Sequence, residues 1–227
     1  MLELENMLGD PVMGIDEAGR GPLAGPVFAA AVHLPTALAE ALSSQDGAKS
    51  RRRKEPCWAD VDDSKKLSAA RRETLAAMIR STPGCIWAVA SASAAEIDDV
   101  NILRAAHLAM KRAHDAVERF WRGGSAPAEG AASSMHVLVD GLPVSTLPDA
   151  VNVVKGDSKS LLIAAASILA KTARDAYCIG MDRLYPGYGF AKHKGYPTPE
   201  HLAAIRKLGP CPEHRRSFGP VSQPELF

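Results

Sequence analysis

Asp16 and Glu17 stand side by side at the end of a short apolar run, and Gly19-Arg20-Gly21 follows at once. Adjacent residues of an extended chain point to opposite faces. Both carboxylates therefore serve one site only if the strand bends or ends there, which the glycines permit. Carboxylate oxygens are hard ligands that suit Mg²⁺ or Mn²⁺. The Gly-Arg-Gly backbone can approach a sugar or phosphate closely, because its glycines carry no Cβ. A strand end running into a polar turn would show the same residues, so this stretch alone leaves both readings open.

Asp140 repeats the layout. The apolar run Met135 to Val139 leads into Asp140-Gly141, and Ala150 to Val154 leads into Lys155-Gly156-Asp157. Asp16, Asp140 and Asp157 thus each fall at the C-terminal end of a predicted strand. In open α/β sheets ligands bind outside those ends. Carboxylates gathered there repel one another unless cations neutralise them. Two divalent ions roughly 4 Å apart serve in-line phosphoryl displacement, one activating water and the other stabilising the leaving oxygen.

Asp175 competes with Asp157 for the fourth place. The two are separated by 175 − 157 = 18 positions, on one predicted helix. At 1.5 Å per residue that is roughly 27 Å, too far to share a metal pair. Asp157 lies beside a strand end and a helix N-terminus, where negative charge is favoured, and is the expected ligand. Asp175 is expected to pair with a nearby base on the helix surface. Lys65 and Lys66 lie just ahead of another helix, capped by Ser68, where first-turn N–H groups also face outward. That suits a phosphate, and equally a solvated pair of lysines.

The elements that must position these groups follow from periodicity and breakers. Strands are expected at Val12 to Asp16, Pro26 to Leu34, Gly84 to Ser93, Met135 to Val139 and Ala150 to Val154. The first two form a hairpin. Helices are expected at Thr36 to Leu42, Ser68 to Arg80, Asn101 to Trp121, Ser158 to Met181 and Pro199 to Leu208. In the third of these, Ile102, Leu103, Ala106, Met110, Ala113, Val117 and Phe120 make a core-facing stripe. The tail from Pro210 reads as irregular. Ser43 to Pro56 is a polar loop carrying the basic run Lys49 to Lys54, and Arg122 to Ser134 is a Gly/Ala/Ser-rich connection. Interleaved strands and helices argue an α/β fold with a mixed five-stranded sheet flanked by helices.

The chain has 227 residues, enough for one domain with a full core. A net charge of +1 does not announce a nucleic-acid binder. Lys49 to Lys54, Lys192-His193-Lys194 and His214-Arg215-Arg216 are local basic spots that could meet phosphates or simply be solvated. Cys57, Cys85, Cys178 and Cys211 share no Cys-x-x-Cys spacing, so reduced thiols are expected. Cys211-x-x-His214 is at most half of a zinc site. The acidic N-terminus lacks a signal-peptide layout, and the apolar run Leu161 to Ala170 is too short to span a membrane. A cytoplasmic protein without membrane contact is expected.

Taken together the words of this sequence resemble those of bacterial type 2 ribonuclease H, the ribonuclease HII family. They are Asp16 to Val27, Asp63-Ser64-Lys65-Lys66-Leu67-Ser68, Val139-Asp140-Gly141, Lys155-Gly156-Asp157, Ala164 to Lys171, His193-Lys194-Gly195-Tyr196 and His214-Arg215-Arg216-Ser217-Phe218. They keep the family's order from residue 12 to 218. The resemblance implies a ribonuclease H-like fold over a single catalytic domain, 1–227, with a small C-terminal helical segment at about 182–227. It implies an endonuclease that cuts RNA in RNA–DNA hybrids and incises 5′ of single ribonucleotides in duplex DNA, leaving 3′-hydroxyl and 5′-phosphate ends. By the same resemblance Asp16, Glu17, Asp140 and Asp157 would bind Mn²⁺ or Mg²⁺. Gly19, Arg20 and Gly21 would read the 2′-hydroxyl, Tyr196 would stack on the following deoxyribose, and Lys65 would contact a phosphate. A monomer acting on RNA–DNA hybrid and ribonucleotide-containing duplex is expected, with no partner-recruiting extension after Phe218. The two insertions look longer than the family's usual connections.

Two other readings compete. A two-metal DNA exonuclease or resolvase would cut an all-DNA substrate. A non-catalytic binding module would bind without metal-dependent cleavage, but gains little from an acidic cluster facing phosphates.

Overall fold

The computed structural model describes residues 1–44, 56–123, 134–223 and 225. The basic run Lys49 to Lys54 and most of the Gly/Ala/Ser-rich connection lie outside the described residues. In chain order the helices and strands are α1 (Glu3–Leu8), β1 (Val12–Ala18), β2 (Val27–His33), α2 (Thr36–Ser44), α3 (Ala69–Ser81), β3 (Ile86–Ala92), α4 (Ala94–Val100), α5 (Ile102–Gly123), β4 (His136–Asp140), β5 (Val151–Val153), α6 (Leu161–Leu184), α7 (Phe190–His193), α8 (Pro199–Leu208) and α9 (Gly219–Ser222). The strands form one mixed sheet in the order β3-β2-β1-β4-β5. β1, β2 and β3 pair antiparallel, while β4 and β5 join parallel to β1.

Alternation along the strands splits the core in two. Val12, Ala30, Val32 and Leu138 face α6 and α3. Met13, Ile15, Ala29, Ala31 and Val139 face α5. The α5 stripe holds at Ala106, Met110, Ala113 and Val117, which are buried. Leu103 and Phe120 turn outward instead, 47% and 71% exposed. They sit at the margins of the stripe, where 3.6-residue periodicity carries a position off the buried face.

Gly14 lets α6 approach the sheet. A Cβ there would collide with the backbone of Leu162 and Ile163. The start of α6 is thereby fixed against the middle of β1, just behind Asp16. Ser160 caps α6, its hydroxyl accepting from the Ile163 amide, so the helix begins three residues later than expected. α1, which had no expected counterpart, plugs this end: buried Glu5 accepts from the Ser160 hydroxyl (2.7 Å) and the Leu162 amide (3.2 Å). α4 was also unforeseen, although Ser93 and Glu96 form a reciprocal capping box.

The C-terminal segment is stitched to the loop after β1. Leu23 N–H donates to Gly195 O, Gly25 N–H to Glu213 O, and Arg215 N–H to Leu23 O. His214 forms an isolated β-bridge with Ala24. The expected irregular tail is therefore a built part of the loop's support, and α9 lies within it.

Candidate active site

β1 does not end at the acidic pair. It runs on to Ala18, with Glu17 opposite Ala29 and Ala18 opposite Phe28 on β2. What ends is its parallel pairing with β4, at Ile15 opposite Val139. Asp16 and Asp140 are the next residue on each of these two neighbouring strands. β4 then turns away at Gly141, whose φ of +87° favours glycine, and that edge of β1 opens. Asp16 and Glu17 thus line one cavity although strand geometry points them to opposite faces.

Asp157 is likewise not at a strand end. It lies in a 3-10 turn, Gly156–Ser158, between β5 and α6. This turn brings it to the group: the Gly156 amide donates to Asp140 Oδ1 at 2.6 Å. A Cβ on Gly156 would meet Asp140 and Ile163. Lys65 Nζ lies 3.3 Å from Asp157 Oδ2. Lys66 turns away and pairs with Asp62. Asp175 stands clear of the group, held by Arg72 (3.4 Å) and Lys171 (2.5 Å).

The cavity, about 140 Å³, is lined by Asp16, Glu17, Gly19, Lys65, Arg174 and Tyr196, with Ser64 and Ser167 among its other walls. Tyr196 is 44% exposed and sits beside Gly21, where an added Cβ would lie 3.5 Å from its ring. Arg20 Nη1 is 3.6 Å from Glu17 Oε1. Of the nine expected site residues, Asp16, Glu17, Gly19, Lys65 and Tyr196 line this cavity, and Asp140, Asp157, Arg20 and Gly21 adjoin it through the contacts just given.

The electrostatics of the group are uncompensated. Burial, then the Glu17 and Asp140 charges, push the Asp16 carboxyl well above the usual carboxylate range. Burial also raises Glu17, opposed by Arg20 and reinforced by Asp140. Asp140 is raised by burial and by Asp157, against the Gly156 amide. Burial lowers Lys65, but Asp157 outweighs it and the ammonium is held above its ordinary value. Lys65 and Arg20 are the cations in contact with these carboxylates; Lys171 and Arg174 also line the cavity, but Lys171 is paired with Asp175 and Arg174 donates to backbone carbonyls. Oxygen-only donors with unbalanced negative charge fit hard divalent cations. Among the described residues, the one set of donors lying within 4.8 Å of one another is elsewhere, His114, Asp115 and Glu118 on α5. Lys111 and Arg122 already pair with its two carboxylates.

The sequence matches the family model for ribonuclease HII over residues 13–221. The chain belongs to the ribonuclease HII family. It is 50% identical over 216 residues to ribonuclease HII of Laribacter hongkongensis, covering 93% of this chain and 92% of that protein. It is 46% identical over 228 residues to that of Paramagnetospirillum magneticum, covering 100% and 98%. Its fold is shared with the ribonuclease H2 of Pyrococcus horikoshii OT3, at a TM-score of 0.68 and 20% identity over 95% of this chain and 97% of the other. Family membership makes the protein a metal-dependent endoribonuclease, a phosphodiester hydrolase with the ribonuclease H-like α/β fold. Among the described residues no helix is long and apolar enough to cross a membrane.

Part of what holds the loop after β1 in this ribonuclease HII chain carries no motif that signals its role. His214 and Arg215 are not a surface basic spot. They are 1% and 0% exposed. Arg215 donates to four loop carbonyls: Nε to Gly25 (2.9 Å), Nη1 to Arg20 (3.0 Å) and Pro22 (2.7 Å), and Nη2 to Gly19 (2.7 Å). Arg174, also buried, lies under Gly19 and donates to Ala24 O and Lys194 O. Nor is Cys211-x-x-His214 half of a zinc site. His214 Nδ1 meets the Cys211 amide and thiol, and its Nε2 meets His201 Nε2 at 3.1 Å. Arg215 read singly gives no signal for burial, since its Gly25 carbonyl partner lies 190 positions away.

Proposed function

We propose that Asp16, Glu17, Asp140 and Asp157 hold the divalent cations of this endonuclease, Mn²⁺ or Mg²⁺, and that the face around them binds RNA–DNA hybrid and duplex DNA containing single ribonucleotides. The observation that carries this is the convergence of oxygen donors from β1, β4 and the turn before α6 beside the Gly19–Gly21 loop. When bound, the ions supply an activated water and stabilise the leaving oxygen of in-line phosphodiester hydrolysis. The chain's own groups do the rest. Asp140 is oriented by the Gly156 amide, and Lys65 offers an ammonium to a phosphate next to the acidic group. Gly19 and Gly21 bring backbone close to the ribose, whose 2′-hydroxyl is the handle that separates RNA from DNA. Tyr196 presents a half-exposed ring beside Gly21, placed to stack on the sugar that follows. Incision 5′ of the ribonucleotide then leaves 3′-hydroxyl and 5′-phosphate ends. This reading treats the chain as one catalytic domain working as a cytoplasmic monomer.

The test is a duplex carrying one ribonucleotide beside its all-DNA twin, each incubated with Mg²⁺, Mn²⁺ or chelator. Cleavage of the first alone, and only with an ion, is expected. Cleavage of the all-DNA twin would favour a DNA nuclease, and binding without cleavage would favour a non-catalytic module.

A further inference from the structure

Arg215 is fully buried, and each of its hydrogen bonds described above goes to backbone carbonyls of the loop from Gly19 to Gly25. Arg174 lies beside it, equally buried, with Nε and Nη1 unpartnered among the described residues. A guanidinium without a carboxylate is an expensive group to bury, so the question is what its fork secures. The peptide links after Gly19 and Arg20 are trans. In a trans peptide the N–H of one residue points opposite to the carbonyl before it. Arg215 draws the Gly19 and Arg20 carbonyls inward, and so turns the Arg20 and Gly21 amides outward. Both residues are exposed, and among the described residues neither amide has an acceptor. The next carbonyl follows the same logic. Arg215 binds Pro22 O, and the Leu23 amide points the other way, to Gly195 O.

We propose that Arg215 is the specificity-positioning residue of this enzyme: its planar fork fixes the Gly19–Gly21 peptides so that two free amides face the ribose 2′-oxygen. This rests on the reading that the loop recognises the ribose. Lysine in its place keeps the charge but lacks the planar fork that reaches Gly19, Arg20, Pro22 and Gly25 together.

The test compares wild type with Arg215→Lys, measuring affinity in EDTA for the single-ribonucleotide duplex and its all-DNA twin. The variant is expected to lose about fivefold to tenfold of the ribo-over-deoxy preference, the scale of one hydrogen bond, with all-DNA affinity unchanged. Equal loss on both duplexes, or an unchanged preference, overturns the proposal. If wild type itself shows no preference, the reading of the loop fails first. Should the variant not fold, wild-type amide exchange decides. The Arg20 and Gly21 amides should exchange freely alone and become protected on the ribonucleotide duplex only. Protection in the free protein, or equal protection on both duplexes, would refute the role.

Discussion

At the scale of the residue, the site is a set of charges that the fold leaves unbalanced. Asp16 is buried among like charges, so its ionised form costs stability in the metal-free protein. Asp16→Asn should cut cleavage by at least about 100-fold, the order seen when one preorganised electrostatic group is removed. It should leave the melting temperature equal or higher. Near-normal turnover in that variant would remove Asp16 from the metal site. The pH dependence has a definite sign. Asp16, Glu17 and Asp140 are raised in the fold, so the native state holds extra protons above the ordinary carboxylate range. Stability from these groups is therefore present at low pH and lost as pH rises through the raised values. Divalent ions held by these carboxylates would reverse that loss. The rise in melting temperature on adding Mg²⁺ or Mn²⁺ should grow from pH 4 to pH 7. A rise independent of pH would mean the ions bind elsewhere.

At the scale of the element, the site depends on how closely α6 sits on β1. Gly14→Ala should destabilise the protein by about 1–3 kcal/mol, the usual cost of overpacking, because its Cβ meets the backbone of Leu162 and Ile163 rather than a movable side chain. Urea unfolding measures this, and an unchanged midpoint would show that α6 can shift. Much of this framework was legible in sequence. The hairpin, the long α5 and the strand leading into Asp140 follow from local periodicity, and α8 spans Pro199–Leu208 as expected. The misses have physical causes. β1 outlasts the acidic pair because β2 keeps pairing with it, a non-local fact. Asp157 sits on a 3-10 turn rather than a strand end, yet that turn is what hands the Gly156 amide to Asp140. Glu5 was unreadable because its partners, Ser160 and Leu162, lie across the whole chain.

At the scale of the molecule, the C-terminal segment works as the backing of the loop from Gly19 to Gly25. Its interior is a chain of neutral imidazoles. His201 Nδ1 meets Tyr196 O, which makes it the donor and leaves Nε2 to accept from His214. His214 Nδ1 then accepts from Cys211. An added proton on His214 Nδ1 would face the Cys211 amide N–H, with only the weakly accepting thiol sulfur beside it. Burial accordingly lowers both histidines to about 4 from an ordinary value of 6.5. Their contribution to stability is fully present above pH 6.5 and is lost as pH falls toward 4. His214→Asn should flatten that part of the pH dependence of the urea midpoint relative to wild type, and parallel curves would contradict the assigned tautomers. Because Tyr196, Gly195 and Arg215 all belong to this segment, acid should loosen the loop's support before it touches the sheet. The carboxylates and their resemblance to a known family were visible in the sequence. That two buried arginines and two buried histidines, Arg174, Arg215, His201 and His214, prop the loop was not, since burial is a property of the finished packing.

Anomalous diffraction at the manganese edge, on crystals grown with Mn²⁺ and a single-ribonucleotide duplex, probes the metal and substrate assignments together. Manganese density among Asp16, Glu17, Asp140 and Asp157, with the scissile phosphate against it and the ribose at Gly19–Gly21, is predicted. Density only at His114, Asp115 and Glu118, or a duplex seated away from the acidic group, would contradict it.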